Sequence, residues 1–409
     1  MEQQKRQVRS GIMTPVKGLM TREERLNPFA FFQNMRETAP VRYDQDRDTW
    51  DVFRYEDVYR VLSDHTTFSS NRNAVLRSNQ SSDNASLIAM DPPQHTKYRN
   101  IVNRAFTPKR VQDLAPRIEE ITRELLDAVE GTGEVDLIRE FAGPLPVIVI
   151  ADILGIPAAD RHLFKEWSDK LVESPHAQHD EAYQASMMEK ARVSQELGAY
   201  FKKQLDARRV TPGDDLLTVL LEAEVEGERL NEQQLLSFCL LLLVAGNETT
   251  TNLITNAVRA FAEQPELQTK LRENPDLIPS AVEEALRYYS PVAAIPSRFA
   301  TQDVELGGQW IKQGDQVVAW LNSANRDEAK FPNADQFLVD RNPNPHLAFG
   351  WGIHFCLGAP LARLEGQIAL KAIIERMPNI RFKAGTELQP VTSTLVFAVK
   401  ELPITFDVK

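Results

Sequence analysis

Cys356 lies in a glycine-rich segment directly ahead of a predicted helix. The segment is FGWGIHFCLG over residues 349–358, and Pro360 follows at a position where the first turn of a helix accepts proline. At a helix N-terminus the unpaired N–H groups and the positive end of the helix dipole favour a thiolate over a thiol. Glycine lets backbone amides approach the sulfur without a clash from a Cβ atom. The pattern therefore predicts a loop that holds a sulfur anion.

Such a thiolate has several possible uses, and the residues weigh against some of them. A nucleophilic cysteine needs an oriented histidine base, and His354 is poorly placed for this, only two residues away on a turn. Zinc or an iron–sulfur cluster needs several further ligands, and the chain has only one other cysteine, Cys239. An axial haem ligand needs no second cysteine. A buried free cysteine with a purely structural role is the remaining interpretation.

A second unusual segment lies in the middle of a long predicted helix, 232–263. Residues 235–245 are apolar on nearly every face, which predicts a buried helix. The following run, AGNETTTN over 245–252, brings an acid and several hydroxyl groups into that helix, although burying polar groups costs free energy. Gly246 lowers helix propensity, and threonine hydroxyls can bond back to the carbonyl four residues earlier. Either the helix returns to the surface here or these side chains carry out chemistry.

The composition limits the classes of protein to consider. The 409 residues are 42% hydrophobic and 26% charged, which is typical of folded globular proteins. With 47 basic and 58 acidic residues the formal net charge is −11, which argues against nucleic acid or an anionic membrane as the main partner. The longest apolar run, 238–246, is about half of the roughly 20 residues that span a bilayer, so we expect no membrane anchor. Two cysteines and a polar N-terminal sequence predict a cytoplasmic protein.

Periodicity and turn residues predict an α+β fold, mainly α-helical with small β-sheets. Residues 1–27 are polar and have no periodic apolar pattern, so we expect a flexible N-terminal arm. With no repeat and no long linker, we expect a single domain over 28–409. The predicted elements in chain order are two strands within 41–55, a long loop over 69–86, helices through most of 94–271, strands within 299–306 and 316–321, and a helix over 361–376.

The cysteine segment resembles the signature of the cytochrome P450 family, F-G-x-G-x-H-x-C-x-G, at every fixed position. The sequence AGNET at 245–249 is similar to the family's oxygen-activation motif, small-Gly-x-acid-Thr. The resemblance covers the chain apart from the predicted N-terminal arm. It implies the cytochrome P450 fold, with haem b between the long central helix and the cysteine-loop helix. It also implies a haem-thiolate monooxygenase with O2 as co-substrate, because thiolate ligation favours O–O cleavage.

The resemblance implies roles for residues on both sides of the haem. Cys356 would be the proximal iron ligand, with Phe349 packed beside the sulfur and Gly350 and Ala245 also contacting the cofactor. Thr249 would hydrogen-bond dioxygen, and Glu248 would relay protons. The groups implied to bind the haem propionates are His95, Arg99, Arg298 and His354.

A charge network behind the cysteine loop is also implied. The i, i+3 spacing of Glu284 and Arg287 places both on one helix face, but the same spacing recurs elsewhere in the chain. Only the resemblance selects this pair and joins it to Arg341. The role of the three residues would be structural rather than catalytic.

The expected substrate is a lipophilic small molecule: a steroid, a secosteroid such as a vitamin D relative, a terpenoid or a fatty acid. By the resemblance, small to medium apolar residues line its pocket: Leu240, Val244, Val292, Ala293, Ile295 and Leu395. A peroxide-driven fatty-acid peroxygenase is one alternative, although such members typically lack the acid–alcohol pair. A non-catalytic haem-binding sensor is another.

The resemblance to soluble bacterial members implies a separate electron carrier, a ferredoxin or flavodoxin with an NAD(P)H-dependent reductase. Such carriers are acidic, and so is this chain, so docking would need a local basic patch. The alternative for the same residues is a solvated helix face. We expect a monomer. The candidate patch residues are Lys97, Arg104, Lys109, Arg110 and Arg363.

Overall fold

A computed structural model of the chain describes residues 16–76, 86–172 and 181–408. Helices form most of the body and short strands form small sheets, which confirms the predicted fold class. The α-helices in chain order are α1 Arg22–Leu26, α2 Phe29–Thr38, α3 Tyr55–Ser63, α4 Arg72–Val75, α5 Gln94–Ala105, α6 Pro108–Asp113, α7 Ala115–Asp127, α8 Pro144–Ile153, α9 Arg161–Val172, α10 Glu181–Val210, α11 Leu216–Glu222, α12 Glu232–Glu263, α13 Pro265–Glu273, α14 Ile278–Tyr288, α15 Leu321–Ala324 and α16 Ala359–Arg376.

The strands form two small sheets and two hairpins. A five-stranded sheet has the order β1-β2-β10-β7-β3, in which β2 and β10 pair in parallel, and a three-stranded sheet has the order β11-β12-β4. Two separate hairpins join β5 to β6 and β8 to β9. The strands are β1 Val41–Asp44, β2 Thr49–Val52, β3 Phe68–Ser69, β4 Glu134–Asp136, β5 Glu224–Val225, β6 Glu228–Arg229, β7 Ala294–Ala300, β8 Val304–Leu306, β9 Gln309–Ile311, β10 Gln316–Trp320, β11 Arg381–Phe382 and β12 Pro403–Thr405.

The long helix α12 runs through the core, and its predicted bounds, 232–263, are confirmed. A capping box fixes its start: the Asn231 side chain accepts from the Gln234 N–H, and the Gln234 side chain accepts from the Asn231 N–H. Nearly every side chain from Thr250 to Phe261 is buried, on all faces of the helix. Because α12 packs against α8, α14 and α16, it forms one wall of the space in front of the cysteine loop.

The prediction of a flexible arm that ends at residue 27 is wrong for residues 16–27. Val16 is fully buried and Leu19 nearly so, in a core cluster with Phe32 and Trp320. The Arg22 Nε donates to the Leu388 carbonyl at 2.8 Å, which joins α1 to the C-terminal part of the chain. The apolar groups are too few to show a period, so only their tertiary contacts identify them as core.

The other predicted elements differ from the structure mainly at their ends. The predicted strand over 299–306 is two strands, β7 and β8, and β7 begins earlier, at Ala294. The predicted final helix begins two residues earlier, at Ala359. The predicted loop over 69–86 contains α4, and its residues 77–85 lie outside the described part of the chain. The single domain over 28–409 stays a prediction.

Candidate active site

The cysteine loop is a tight turn that depends on glycine. Gly350 and Gly352 have φ values of 69° and 71°, and a short 3₁₀ turn over Gly352–His354 leads into the cysteine. At Gly352 a Cβ atom would lie 2.9 Å from the Leu62 carbonyl oxygen, which leaves no room for another side chain. The Cys356 N–H donates to the Phe349 carbonyl at 2.9 Å and closes the loop.

The Cys356 thiol faces competing electrostatic effects. Burial is the largest and raises its pKa, while hydrogen bonds from the N–H groups of Gly358 and Ala359 and the nearby charges of Arg99 and Arg363 lower it. The net direction is upward, so the expected effect of the helix N-terminus is present but smaller than the cost of burial. A metal cation bound to the sulfur would favour the thiolate.

A cavity with about 1370 Å³ of empty volume opens between α12 and the start of α16, and Cys356 lies in its wall. This volume includes space that is open to solvent. The wall is largely apolar. Besides the cysteine loop it includes Leu87, Ile88, Phe106, Phe238, Leu241, Leu242, Val292 and Ile295.

One face of α12 lines this cavity, with Leu242, Ala245 and Thr249 on it. Successive residues of a helix are about 100° apart, so Leu240 and Val244 lie on the opposite side. The assignment of Leu240 and Val244 to the pocket is therefore wrong. Both residues are partly buried at the back of the helix.

The other predicted pocket residues divide in the same way. Val292 and Ile295 line the cavity. Ala293 does not, because it points to the other side of the chain and lines a small separate cavity with Phe397. Leu395 packs against a different core cluster, and its carbonyl accepts from the Ala293 N–H at 2.8 Å.

Thr249 and Glu248 are placed differently with respect to the cavity. The Thr249 hydroxyl lies in the cavity wall and donates to the Ala245 carbonyl at 2.7 Å, the back-bonding expected from the sequence. Glu248 is about 100° further round the helix and is not among the lining residues. Burial raises the pKa of Glu248, and the nearby Lys190 on α10 opposes this. The carboxyl therefore retains a proton at a higher pH than an exposed glutamate.

The predicted propionate ligands come together at one side of the cavity. The rings of His95 and His354 are 4.4 Å apart between centroids, and the Ser70 Oγ lies 3.0 Å from the His354 Nε2. Burial lowers the pKa of His95 to about 4 and that of His354 to about 3. Arg298 is also buried, its Nη1 donates to the Ser297 carbonyl at 2.8 Å, and burial lowers its pKa to about 10. Both histidines are therefore neutral near pH 7 and Arg298 is charged.

Arg99 braces the cysteine loop as well as lining the cavity. Its Nη2 donates to the Phe355 carbonyl at 2.7 Å, and its Nε donates to the Asn103 Oδ1 at 3.2 Å. Arg99 therefore supports the residue next to Cys356 directly, a contact that the sequence did not suggest.

The network around Glu284 has the contacts that the resemblance implied. Glu284 and Arg287 form two hydrogen bonds of 2.7 and 2.8 Å, and the Arg341 Nε lies 3.0 and 3.1 Å from the two Glu284 oxygens. The Leu338 N–H and the Asn344 Nδ2 also donate to the same carboxylate. Arg287 donates further to three backbone carbonyls in the segment 325–336, so the network fixes the chain that leads to the cysteine loop.

Sequence reasoning missed Glu365, which lies in the cavity wall. Its Oε2 is buried with no hydrogen-bond partner among the described residues, and burial raises the pKa of the carboxyl to about 8. The sequence did contain a signal. Glu365 interrupts an otherwise apolar stripe on α16 that consists of Leu361, Ala369 and Ile373, spaced four residues apart.

The residues present fit a haem. The Cys356 sulfur lies at a large apolar cavity, as an axial ligand requires. The Nε2 of His95 is buried and has no partner in the described ranges, and Arg298 is a buried cation beside it. A carboxylate at this position would accept hydrogen bonds from such donors and offset the charge of Arg298. Among the described residues, no three His, Cys, Asp or Glu side chains come together as ligands for a metal ion.

The chain is similar to known proteins along almost its whole length. The sequence model of the family described as cytochrome P450 matches residues 14–155 and 176–408. A relative from Bacillus spizizenii, "Cytochrome P450 109", is 49% identical over 399 residues, which are 97% of this chain and 96% of that protein.

Solved structures agree with the sequence comparison. Substrate-free CYP109E1 from Bacillus megaterium matches with a TM-score of 0.89 and 44% identity, over 94% of this chain and 100% of that one. The same protein in complex with testosterone matches with a TM-score of 0.87 and 45% identity, over 95% and 100% of the two chains. None of the described helices is long and apolar enough to cross a membrane.

Proposed function

The chain belongs to the cytochrome P450 family, and we propose that it hydroxylates a steroid-sized lipophilic molecule with electrons from a separate ferredoxin-type carrier. Members of the family are monooxygenases that use haem b as cofactor and O2 as co-substrate. The chain is therefore a haem-dependent monooxygenase. The substrate class, the electron carrier and the roles of individual residues are the parts that we propose.

The apolar wall of the cavity carries the proposal about the substrate. Arg99 and Glu365 also line the cavity, but the side chains that we place around the substrate are aliphatic and carry no charge: Leu87, Ile88, Leu241, Leu242, Val292 and Ile295. Recognition would then depend on shape and apolar burial. The complex of the related CYP109E1 with testosterone supports a steroid as the occupant.

We assign the residues around the cavity different roles in the reaction. Haem supplies the iron at which O2 is activated by two electrons so that one oxygen atom enters a C–H bond. Cys356 would hold that iron, and His95, Arg298 and His354 would hold the propionates. The Thr249 hydroxyl can stay on the Ala245 carbonyl or donate into the cavity, which suits a group that hydrogen-bonds dioxygen. Glu248 would supply protons, since burial keeps its carboxyl protonated to a higher pH.

Two variants test these roles. Cys356→Ala should abolish the reduced carbon-monoxide absorption band of a haem-thiolate protein, and a surviving band would refute the ligand assignment. Thr249→Ala should still bind substrate but release hydrogen peroxide in place of product. Unchanged product per electron pair in Thr249→Ala would refute the proton-delivery role.

The substrate class can be tested without turnover. Titration of the ferric enzyme with a steroid, a terpenoid and a fatty acid should give a low-spin to high-spin shift, and we expect the steroid to bind most tightly. A shift with the fatty acid alone would overturn the steroid proposal. Turnover with hydrogen peroxide compared with a ferredoxin system then separates a monooxygenase from a peroxygenase, and we expect the ferredoxin system to be faster.

The proposed electron carrier would dock on basic residues near the cysteine loop. Of the five candidates, Lys97, Lys109 and Arg363 are in ion pairs with carboxylates. Arg104 and Arg110 are exposed and form no ion pair within the described ranges, so they carry the proposal. We also propose a cytoplasmic monomer.

Charge reversal at Arg104 and Arg110 should slow reduction by ferredoxin, most strongly at low salt. Reversal of Lys383 and Lys400, which lie beside the sheet of β11 and β12, makes the same change in net charge and serves as the control. Equal reduction rates for the two double variants at low salt would refute the docking patch.

A further inference from the structure

A buried polar contact joins the back of α12 to α9. The Asn247 Nδ2 donates to the Ser168 Oγ, and both side chains are buried, Ser168 completely. The Asn247 Oδ1 lies 3.4 Å from the Thr251 hydroxyl, which also donates to the Ala142 carbonyl at 3.0 Å. The one proton of the Thr251 hydroxyl goes to the shorter of these two contacts, so the Asn247 Nδ2 makes the main hydrogen bond of the amide. Asn247 ties α12 to α9, and Thr251 ties α12 to the π-helical turn Ile138–Ala142.

This contact lies behind the segment that carries Thr249. Residues two positions apart on a helix are about 200° apart, so Asn247 points away from the cavity that Thr249 faces. Gly246 lies on α12 between the directions of Asn247 and Thr249 and packs against α8. A Cβ atom added at Gly246 would lie 3.3 Å from the Ile150 side chain, so the two helices are in close contact there. The hydrogen bond of Thr249 is to Ala245 of its own helix. The position of the Thr249 hydroxyl therefore depends on how α8 and α9 hold this turn of α12.

The polar pair is not needed for packing alone. A buried amide and hydroxyl cost desolvation free energy that apolar side chains of similar shape would avoid. The pair adds a directional constraint, because its hydrogen bond restricts how α12 can rotate about its axis or slide along it relative to α9. The helix α9 also packs against α8 and α10, so the contact joins α12 to the layer that covers it.

We propose that Asn247 is a positioning residue, which through its hydrogen bond to Ser168 holds the turn of α12 that carries Glu248 and Thr249 in the arrangement that delivers protons to dioxygen. The proposal rests on the proposed role of Thr249. When the arrangement is correct, one oxygen atom enters the substrate and the other leaves as water. When it is lost, O2 takes two electrons and two protons and leaves as hydrogen peroxide.

The experiment compares four holoenzyme variants under the ferredoxin system. Ser168→Ala and Asn247→Leu each remove one partner, the double variant removes both, and Ser168→Thr keeps the hydroxyl. Thr255→Val is the matched control, because the buried Thr255 hydroxyl donates to the Thr251 carbonyl within α12 and bonds to no other element of the described ranges. The readouts are hydrogen peroxide formed per electron pair, the substrate spin-shift Kd, and amide hydrogen exchange in 245–251.

We expect Ser168→Ala and Asn247→Leu to raise the peroxide fraction several-fold and to speed amide exchange in 245–251 by roughly tenfold. The double variant should be no worse than the single ones, since both remove the same bond. Ser168→Thr should restore the wild-type peroxide fraction. The spin-shift Kd should change by less than about twofold, because Asn247 does not face the cavity.

A purely structural role would reduce the yield of holoenzyme in all variants, including Thr255→Val, but leave the peroxide fraction of the surviving enzyme unchanged. That outcome would overturn the inference, and so would additive effects in the double variant. Thr249→Ala measured in parallel separates the two failures. If Thr249→Ala uncouples and the Asn247 and Ser168 variants do not, only the inference fails; if Thr249→Ala does not uncouple, the proposed function of Thr249 fails.

Discussion

Glu284 and Glu365 are both buried carboxyl groups on helices that pack against each other, α14 and α16, yet their surroundings are opposite. Glu284 accepts hydrogen bonds from Arg287, Arg341, Asn344 and a backbone N–H. Glu365 has an oxygen with no partner in the described part of the chain and lies in the cavity wall. Hydrogen bonds and ion pairs therefore offset the cost of burying Glu284, and the cost of burying Glu365 is not offset.

The same division separates two regions of the molecule. Behind the cysteine loop, Glu284, Arg287 and Arg341 are paired with one another and hydrogen-bonded to the backbone, which is how a protein makes ionic groups part of its frame. Around the cavity, His95 and Glu365 have polar atoms without partners, and Arg298 is a buried cation with little compensation. Groups of the second kind destabilise the fold by themselves, so they are the ones to examine for ligand binding.

The largest expected effect is at Glu284. Glu284→Ala would leave Arg287 buried and unpaired, and we expect it to lower the free energy of unfolding by about 3–5 kcal/mol. Chemical denaturation and haem content measure this. Asp340, next to Arg341, pairs with Lys270 and both side chains are about half exposed, so Asp340→Ala is a control with an expected loss of about 1 kcal/mol. Equal losses for the two variants would break the comparison.

For Glu365 we expect a loss of stability as the pH rises, because its buried carboxyl has no partner among the described residues that would stabilise the ionised form. Burial raises its pKa to about 8, so between about pH 4.5 and 8 the folded chain binds a proton that the unfolded chain has released. Stability therefore falls as the pH rises through this window. Glu365→Gln cannot ionise, so it should lose less stability from pH 5 to pH 8, by a few kcal/mol. Unfolding midpoints at both pH values test this, and parallel slopes for the two proteins would contradict it.

The smallest effect on stability should come from Arg298. Burial of its charge is poorly compensated, so Arg298→Met should change the stability of the haem-free chain by no more than about 1 kcal/mol. Haem loss should become roughly tenfold faster, because a charged donor to a propionate is removed. Transfer of haem to an acceptor protein measures the rate. Arg298→Lys keeps the charge, so its rate of haem loss should lie between those of the wild type and Arg298→Met. If Arg298→Met loses haem at the wild-type rate, Arg298 does not bind a propionate.

Much of the frame could be predicted because its signals are local. The glycine-framed Cys356 and the long helix α12 with its apolar first half are visible in short stretches of sequence, and the structure has them where they were predicted. The Glu284–Arg287 spacing was not specific by itself, since the same pattern recurs along the chain. Its link to Arg341, 57 residues later, followed only from the family resemblance.

The pocket was predicted less well for a physical reason. The first half of α12 is apolar on nearly every face, so its periodicity does not show which face is turned to the cavity, and Leu240 and Val244 were assigned to the wrong side. The packing of residues 16–27 depends on partners such as Leu388, 366 residues away from Arg22. Unpartnered atoms such as the Glu365 Oε2 exist only once the fold has buried them.

The parallel pairing of β2 with β10 has a consequence for how the chain is made. Thr49–Val52 pairs with residues 316–319, and β3 pairs with β7 near residue 300, so both early segments must wait for strands that leave the ribosome much later. Until then the hairpin of β1 and β2 has an open edge that can pair with another chain. Cys356 is synthesised later still, so we expect the site around the cysteine loop to form only when translation has nearly finished. Slow synthesis should therefore favour aggregation over folding.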